Sequence, residues 1–117
     1  KLAIKDFTQP QDEEKIYDVV VLSDILTHVG NPMQLLNNAI QVLKDDGFIY
    51  INIVNFGCKK AGEELHKWDG IGVGENITLY TKDSFDRVAQ EVGIECETYR
   101  EDEDDDEMLF YRCRKKA

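Results

Sequence analysis

The residues able to do chemistry cluster just after an apolar run. Asp24 closes that run, and a carboxylate at the end of a buried strand must meet water, a helix N-terminus or a ligand. His28 follows with an imidazole that can take a proton near neutral pH, although a structural histidine is the plainer reading. Asn55, in Asn55-Phe56-Gly57, reads either as a substrate contact or as ordinary turn chemistry. His66 and Trp68 stand in a stretch of glycines and charges, where a tryptophan either joins a lid or anchors the stretch to a core.

Three further features resemble sites but lack the required context. Gly70, Gly72 and Gly74 form a GxGxG run, yet a phosphate-cradling loop needs a buried strand before it and a helix N-terminus after it. Glu63 to Trp68 is too charged for a central strand, and Asn76 to Tyr80 does not open a helix, so a flexible loop is expected. The acidic run Glu101 to Glu107 contains no turn-forming glycine and so does not fit a calcium loop. It reads as a solvated hairpin tip. Cys58, Cys96 and Cys113 show no CxxC pair and no zinc spacing, so no metal site is expected. Cys96 and Cys113 fall in expected strands and read as small buried hydrophobes in a reducing cytoplasm or nucleus.

The elements that must position these groups follow from periodicity. Tyr17 to Asp24 is a continuous β-branched run without polar alternation, the pattern of a parallel strand buried on both faces. Asn31 is a good N-cap, Pro32 suits a first turn, and Gln34 stands where a capping box would place it. Met33, Leu36, Ala39, Ile40 and Leu43 then recur at helical spacing, with Gln34, Asn37, Asn38, Gln41 and Lys44 outward and Gly47 as the stop. Phe48 to Val54 is a second apolar strand, which makes a right-handed βαβ unit. Residues 55–76 lose periodicity and read as a long loop or lid, with a short helix near Ala61 to Trp68. A second helix starts near Thr81, with Asp83 in its first turn, buries Phe85, Val88, Ala89 and Val92, and stops at Gly93. Ile94 to Arg100 and Met108 to Lys115 read as a hairpin, and Leu2 to Phe7 as a short strand.

In order and spacing these segments resemble the middle and end of a class I S-adenosylmethionine (SAM)-dependent methyltransferase. The resemblance rests on Tyr17 to Val29, Asn31-Pro32, Leu35-Leu36, Val42 to Gly47, the apolar strand ending in Asn55, Leu79 to Phe85, and Glu91 to Ile94. It runs from about residue 4 to the C-terminus. It implies an α/β fold: a partial Rossmann-like methyltransferase sheet with a βαβ core and a C-terminal antiparallel hairpin inserted beside the family's fifth strand. Tyr17 to Asp24 would be the fourth strand, Phe48 to Val54 the fifth, and the hairpin the sixth and seventh. Asp6 would fall near the adenine-contacting acidic position. Ser23, Asp24 and Leu26 would line the cofactor side of the pocket, at the carboxyl ends of the strands where open α/β sheets bind ligands. His28, Asn55 and Trp68 would face the substrate, with His28 the catalytic candidate.

The family's first strand, its glycine-rich loop and the acidic residue ending its second strand have no counterpart here, and Thr27 stands where relatives most often carry Glu. The chain opens on Lys1, so a segment of a longer polypeptide, or a start that has been removed, is expected. Residues 1–117 read as one partial methyltransferase-like domain. The activity implied is methyl transfer to a nucleophilic oxygen, nitrogen or carbon of a small-molecule or protein acceptor. The alternative is a catalytically inactive module for protein–protein interaction; another Rossmann-like domain is a weaker third reading. In either of the first two cases a partner chain or the missing N-terminal half would cover the edge of strand 17–24, unless Leu2 to Phe7 folds back over it. A formal net charge of −10 disfavours nucleic acid, and no apolar run approaches the roughly 20 residues of a membrane span.

Overall fold

The computed structural model describes residues 5–23, 25–55, 80–100 and 108–116. Four strands and two helices account for most of them: β1 (Tyr17–Ser23), α1 (Pro32–Val42), β2 (Leu43–Val54), α2 (Lys82–Val92), β3 (Ile94–Arg100) and β4 (Met108–Lys115). A short 3-10 turn, Leu26–His28, lies between β1 and α1. The sheet order is β1-β2-β4-β3, with β1 parallel to β2 and β4 antiparallel to both neighbours. The hairpin therefore inserts its second strand beside β2, the topology the family resemblance implies.

Helix ends follow local chemistry. The Asn31 side chain accepts from the Gln34 N–H at 3.1 Å, and Pro32 occupies the first turn, where its missing N–H costs nothing. Thr81 and Ser84 form a full capping box, Asp83 lies in the first turn of α2, and Gly93 ends that helix at φ +81°, a left-handed conformation suited to glycine. Gly47 does not stop α1. The helix already ends at Leu43, whose backbone turns extended, and the chain passes directly into β2. Tyr17 pairs with Leu43 but Val19 with Phe48, so the intervening residues of β2 bulge. Gly47 is required there for a different reason: a Cβ would sit 2.7 Å from the Asp18 carbonyl oxygen and 2.6 Å from the Leu43 side chain.

Both helices pack on one face of the sheet. Val20 and Leu22 of β1, Ile49, Ile51 and Ile53 of β2, and Tyr111 and Cys113 of β4 are buried there with Leu35, Leu36, Ala39, Val42, Phe85 and Ala89. Phe85 stacks on Tyr111 with centroids 4.4 Å apart. Met33, expected in the core, is exposed, and its place is taken by Leu35. On the other face Val19 is 49% and Val21 64% exposed, so β1 is not buried on both sides. The reason is position: β1 is the sheet edge, and no second helical layer covers this face among the described residues. That open face turns polar toward the hairpin, where Arg112 pairs with Glu97 and Arg114 with Glu95.

Residues 5–7 form no strand, and residues 2–4 of the expected one lie outside the described residues. From Phe7 to Ile16 the chain runs along α1 as an N-terminal arm. Asn38 donates to the carbonyls of Phe7 and Gln9, and Gln41 to those of Gln11 and Glu13. The N–H groups of Lys15 and Ile16 then satisfy the last carbonyls of α1, at Gln41 and Val42. Cys96 and Cys113, directly opposed on β3 and β4, form a disulfide rather than two free thiols. The close antiparallel pairing, with Cα atoms 4.1 Å apart, brings the two sulfurs together. Among the described residues no helix is long and apolar enough to cross a membrane, and no metal-ligating cluster occurs.

Candidate active site at the carboxyl ends of the parallel strands

Parallel pairing aligns the carboxyl ends of β1 and β2, and the last pair in register is Ser23 opposite Asn52. Ser23 Oγ lies 3.2 Å from Asn52 Nδ2 and 3.3 Å from Oδ1. Both side chains point to the open face, because β2 alternates between buried Ile49, Ile51 and Ile53 and half-buried Tyr50, Asn52 and Val54. A hydroxyl and an amide together can donate to and accept from a polar ligand. The signal for Asn52 is faint in sequence: it is the one polar residue in Phe48 to Val54, and it matters because of its partner on β1.

From Ser23 the chain continues through the Leu26–His28 turn, closed by the His28 N–H donating to the Ile25 carbonyl at 3.0 Å. Leu26 is fully buried and anchors the turn in the core, whereas His28 is exposed at its end. Asn55, directly after β2, bridges Tyr80 in parallel. Ser23, Leu26, His28, Asn52 and Asn55 therefore all follow or end the two parallel strands. Asp6 belongs to another element: it sits in an exposed turn of the arm on α1. There the Thr8 hydroxyl and N–H both donate to its carboxylate and hold it below the usual carboxylate range. Asp24, Trp68, His66, the GxGxG run, Cys58, the short helix near 61–68 and the acidic run lie outside the described residues.

Burial of a different kind surrounds Tyr80 and Tyr111. Their hydroxyls are buried without a hydrogen-bond partner among the described residues, and desolvation pushes both phenols up to about 12. Asp86 and Asp83 on α2 add to the effect at Tyr111.

Known proteins match this arrangement. An enzyme described as a ubiquinone biosynthesis O-methyltransferase, from Rickettsia akari (strain Hartford), is 36% identical over 50 residues, 43% of this chain and 20% of its own length. Among solved structures, a SAM-dependent methyltransferase from Thermotoga maritima, described as a possible histamine N-methyltransferase, superposes with a TM-score of 0.71 at 14% identity. It covers 96% of this chain and 62% of its own. LepI in complex with SAM gives a TM-score of 0.68 at 16% identity, over 93% of this chain and 28% of its own. The chain thus spans about a fifth of that curated relative and under two-thirds of the Thermotoga protein. The family model described as a methyltransferase domain matches residues 2–99, and the chain belongs to that methyltransferase domain family.

Proposed function

We propose that this chain is the carboxyl-terminal part of the catalytic domain of a SAM-dependent methyltransferase, and that the carboxyl ends of β1 and β2 form one wall of its cofactor pocket. The observation that carries this reading is the Ser23–Asn52 pair, polar and open, at the end of two parallel strands in a member of the methyltransferase family. Ligands of open α/β sheets bind at such carboxyl ends. The solved neighbour in complex with SAM supports the choice of cofactor.

The donor set fits. Ser23 and Asn52 offer a hydroxyl and an amide to the hydroxyl, amine or carboxylate groups of the cofactor. Leu26, locked in the core, fixes the path of the chain past the pocket. SAM, when bound, supplies a sulfonium methyl group open to in-line attack by a nucleophile. The protein's part is alignment and exclusion of water, which need no strong base. In this reading His28, exposed at the end of the 3-10 turn, accepts a proton from a small-molecule or protein acceptor. Asn55, Asp24 and Trp68 complete the proposed site, with Asp24 toward the cofactor and the other two toward the acceptor. In this reading residues 1–117 are one partial domain, and Val19 and Val21 face the remainder of it, or a partner chain.

Calorimetric titration of SAM and S-adenosylhomocysteine into the encoded polypeptide that carries this chain tests the reading. Saturable binding at micromolar concentration, weakened by Asn52→Ala, is expected. Absence of binding by either compound would overturn it and favour the non-catalytic interaction module.

A further inference from the structure

The C-terminal hairpin carries a second kind of chemistry, unrelated to methyl transfer. Cys96 and Cys113 oppose each other in register on β3 and β4 and are bonded through sulfur. Their surroundings differ sharply. Cys113, on the inner strand β4, is fully buried against Ile49 and the core. Cys96, on β3, is half-buried. Among the described residues β3 is the outer strand of the sheet and pairs with β4. A groove of about 310 Å³ between α2 and β3, lined by Asp86, Gln90, Ile94, Cys96 and Lys116, opens beside it. Of the two, Cys96 is thus the residue that borders a groove, whereas Cys113 is enclosed by the core.

We propose that Cys96 and Cys113 form a reversible thiol–disulfide exchange site for low-molecular-weight thiols, with Cys96 the attacked sulfur and Cys113 the resolving one. Accessible disulfides exchange readily, whereas fully enclosed ones resist reduction. In reduction, the thiolate of glutathione attacks the Cys96 sulfur. The Cys96–Cys113 bond breaks, a mixed disulfide forms at Cys96, and Cys113 leaves as a thiolate that takes up a proton. A second glutathione attacks the mixed disulfide at the glutathione sulfur, releasing glutathione disulfide and the Cys96 thiolate, which is protonated in turn. The net reaction oxidises two glutathione thiols and reduces one protein disulfide. In oxidation, Cys96 attacks glutathione disulfide, and Cys113 displaces glutathione from the mixed disulfide. Because Cys113 is held opposite Cys96, that intermediate is short-lived in the native pair.

The test equilibrates the encoded polypeptide in reduced and oxidised glutathione at graded ratios, quenches with acid, alkylates free thiols and maps the Cys96 and Cys113 peptides by mass spectrometry. Both thiols are expected to titrate together in one two-electron transition, fully reduced in excess glutathione and fully bridged in excess glutathione disulfide. Cys113→Ala is expected to accumulate a stable glutathione adduct at Cys96, at least tenfold above the adduct at Cys113 in Cys96→Ala. A bridge that survives excess glutathione would overturn the proposal, as would two thiols that stay free in excess glutathione disulfide. Equal adduct formation at the two positions would overturn the assignment of roles. The wild-type titration stands even if a variant fails to fold.

Discussion

Asn38 donates its side-chain amide to the Phe7 carbonyl at 2.8 Å, tying a helix residue to a backbone group 31 positions earlier. With Gln41 on the next turn it holds the N-terminal arm on α1. Each side chain replaces hydrogen bonds to water with two to the chain, a net gain of about 1 kcal/mol or somewhat more per residue. Asn38→Ala and Gln41→Ala should each lower unfolding free energy by about 1 kcal/mol in denaturant titration. The double variant should also speed proteolytic cleavage between residues 7 and 14, where the arm loses its anchors. Unchanged cleavage would mean the arm is held by other contacts.

Among the described residues the arm lies on α1 and nothing covers the edge of β1 or its outer face, which predicts how the chain behaves alone. Val19 and Val21, beside a strand edge with no partner among the described residues, favour association. Sedimentation velocity on the isolated chain should show concentration-dependent dimers or larger species. Val21→Lys should suppress them while changing stability by no more than ~0.5 kcal/mol, the usual limit for an exposed site. A monodisperse monomer at high concentration would contradict the open edge.

Gly47 makes a sharper test of packing. A methyl group there would press on the Asp18 carbonyl, which is backbone and cannot swing aside. Gly47→Ala should cost about 1–3 kcal/mol, as overpacking does. A neutral result in equilibrium unfolding would show that the β2 bulge between Leu43 and Phe48 relaxes freely.

Alkaline pH should destabilise the fold through Tyr80 and Tyr111. Their folded phenols titrate at about 12, raised by burial, whereas an unfolded tyrosine titrates near 10. Each therefore contributes stability that is complete below about pH 10 and lost as pH rises toward 12, since only the unfolded chain ionises in that window. Tyrosinate absorbance should rise together with the loss of circular dichroism for these two residues. Tyr80→Phe and Tyr111→Phe, which remove hydroxyls lacking a partner among the described residues, should be neutral or stabilising near pH 7 and should raise the alkaline midpoint.

Where structure followed local chemistry, it was legible in advance. Thr81 and Gly93 bracket α2, Asn31 opens α1, and the apolar runs of β3 and β4 carry the bounds read for them. What failed was non-local. Asp45-Asp46-Gly47 looks like a turn after a helix, yet pairing with β1 draws Leu43 onward into β2, and Gly47 answers to Asp18 rather than to a helix end. Asn38 and Gln41 look like a solvated helix face until the arm lies on them. Val19 and Val21 read as buried because β-branched runs belong in sheet centres, but centrality depends on strands outside the run. Of the proposed site, His28 and Asn55 stood out as residues that follow apolar strands, and Ser23 and Leu26 entered through the family resemblance. Asn52 did neither, because its meaning comes from Ser23, 29 residues away. The disulfide was missed for the same reason: only the hairpin register sets Cys96 against Cys113.

The central claim is that the carboxyl ends of β1 and β2 bind the cofactor, and hydrogen exchange with S-adenosylhomocysteine tests it most directly. Exchange measured by mass spectrometry on the encoded polypeptide should slow, when the ligand is added, at residues 25–31 and 50–55. It should be unchanged in the arm at 5–16 and in β3 and β4. Protection confined to the hairpin or the arm, or none at all at a saturating concentration, would contradict the account.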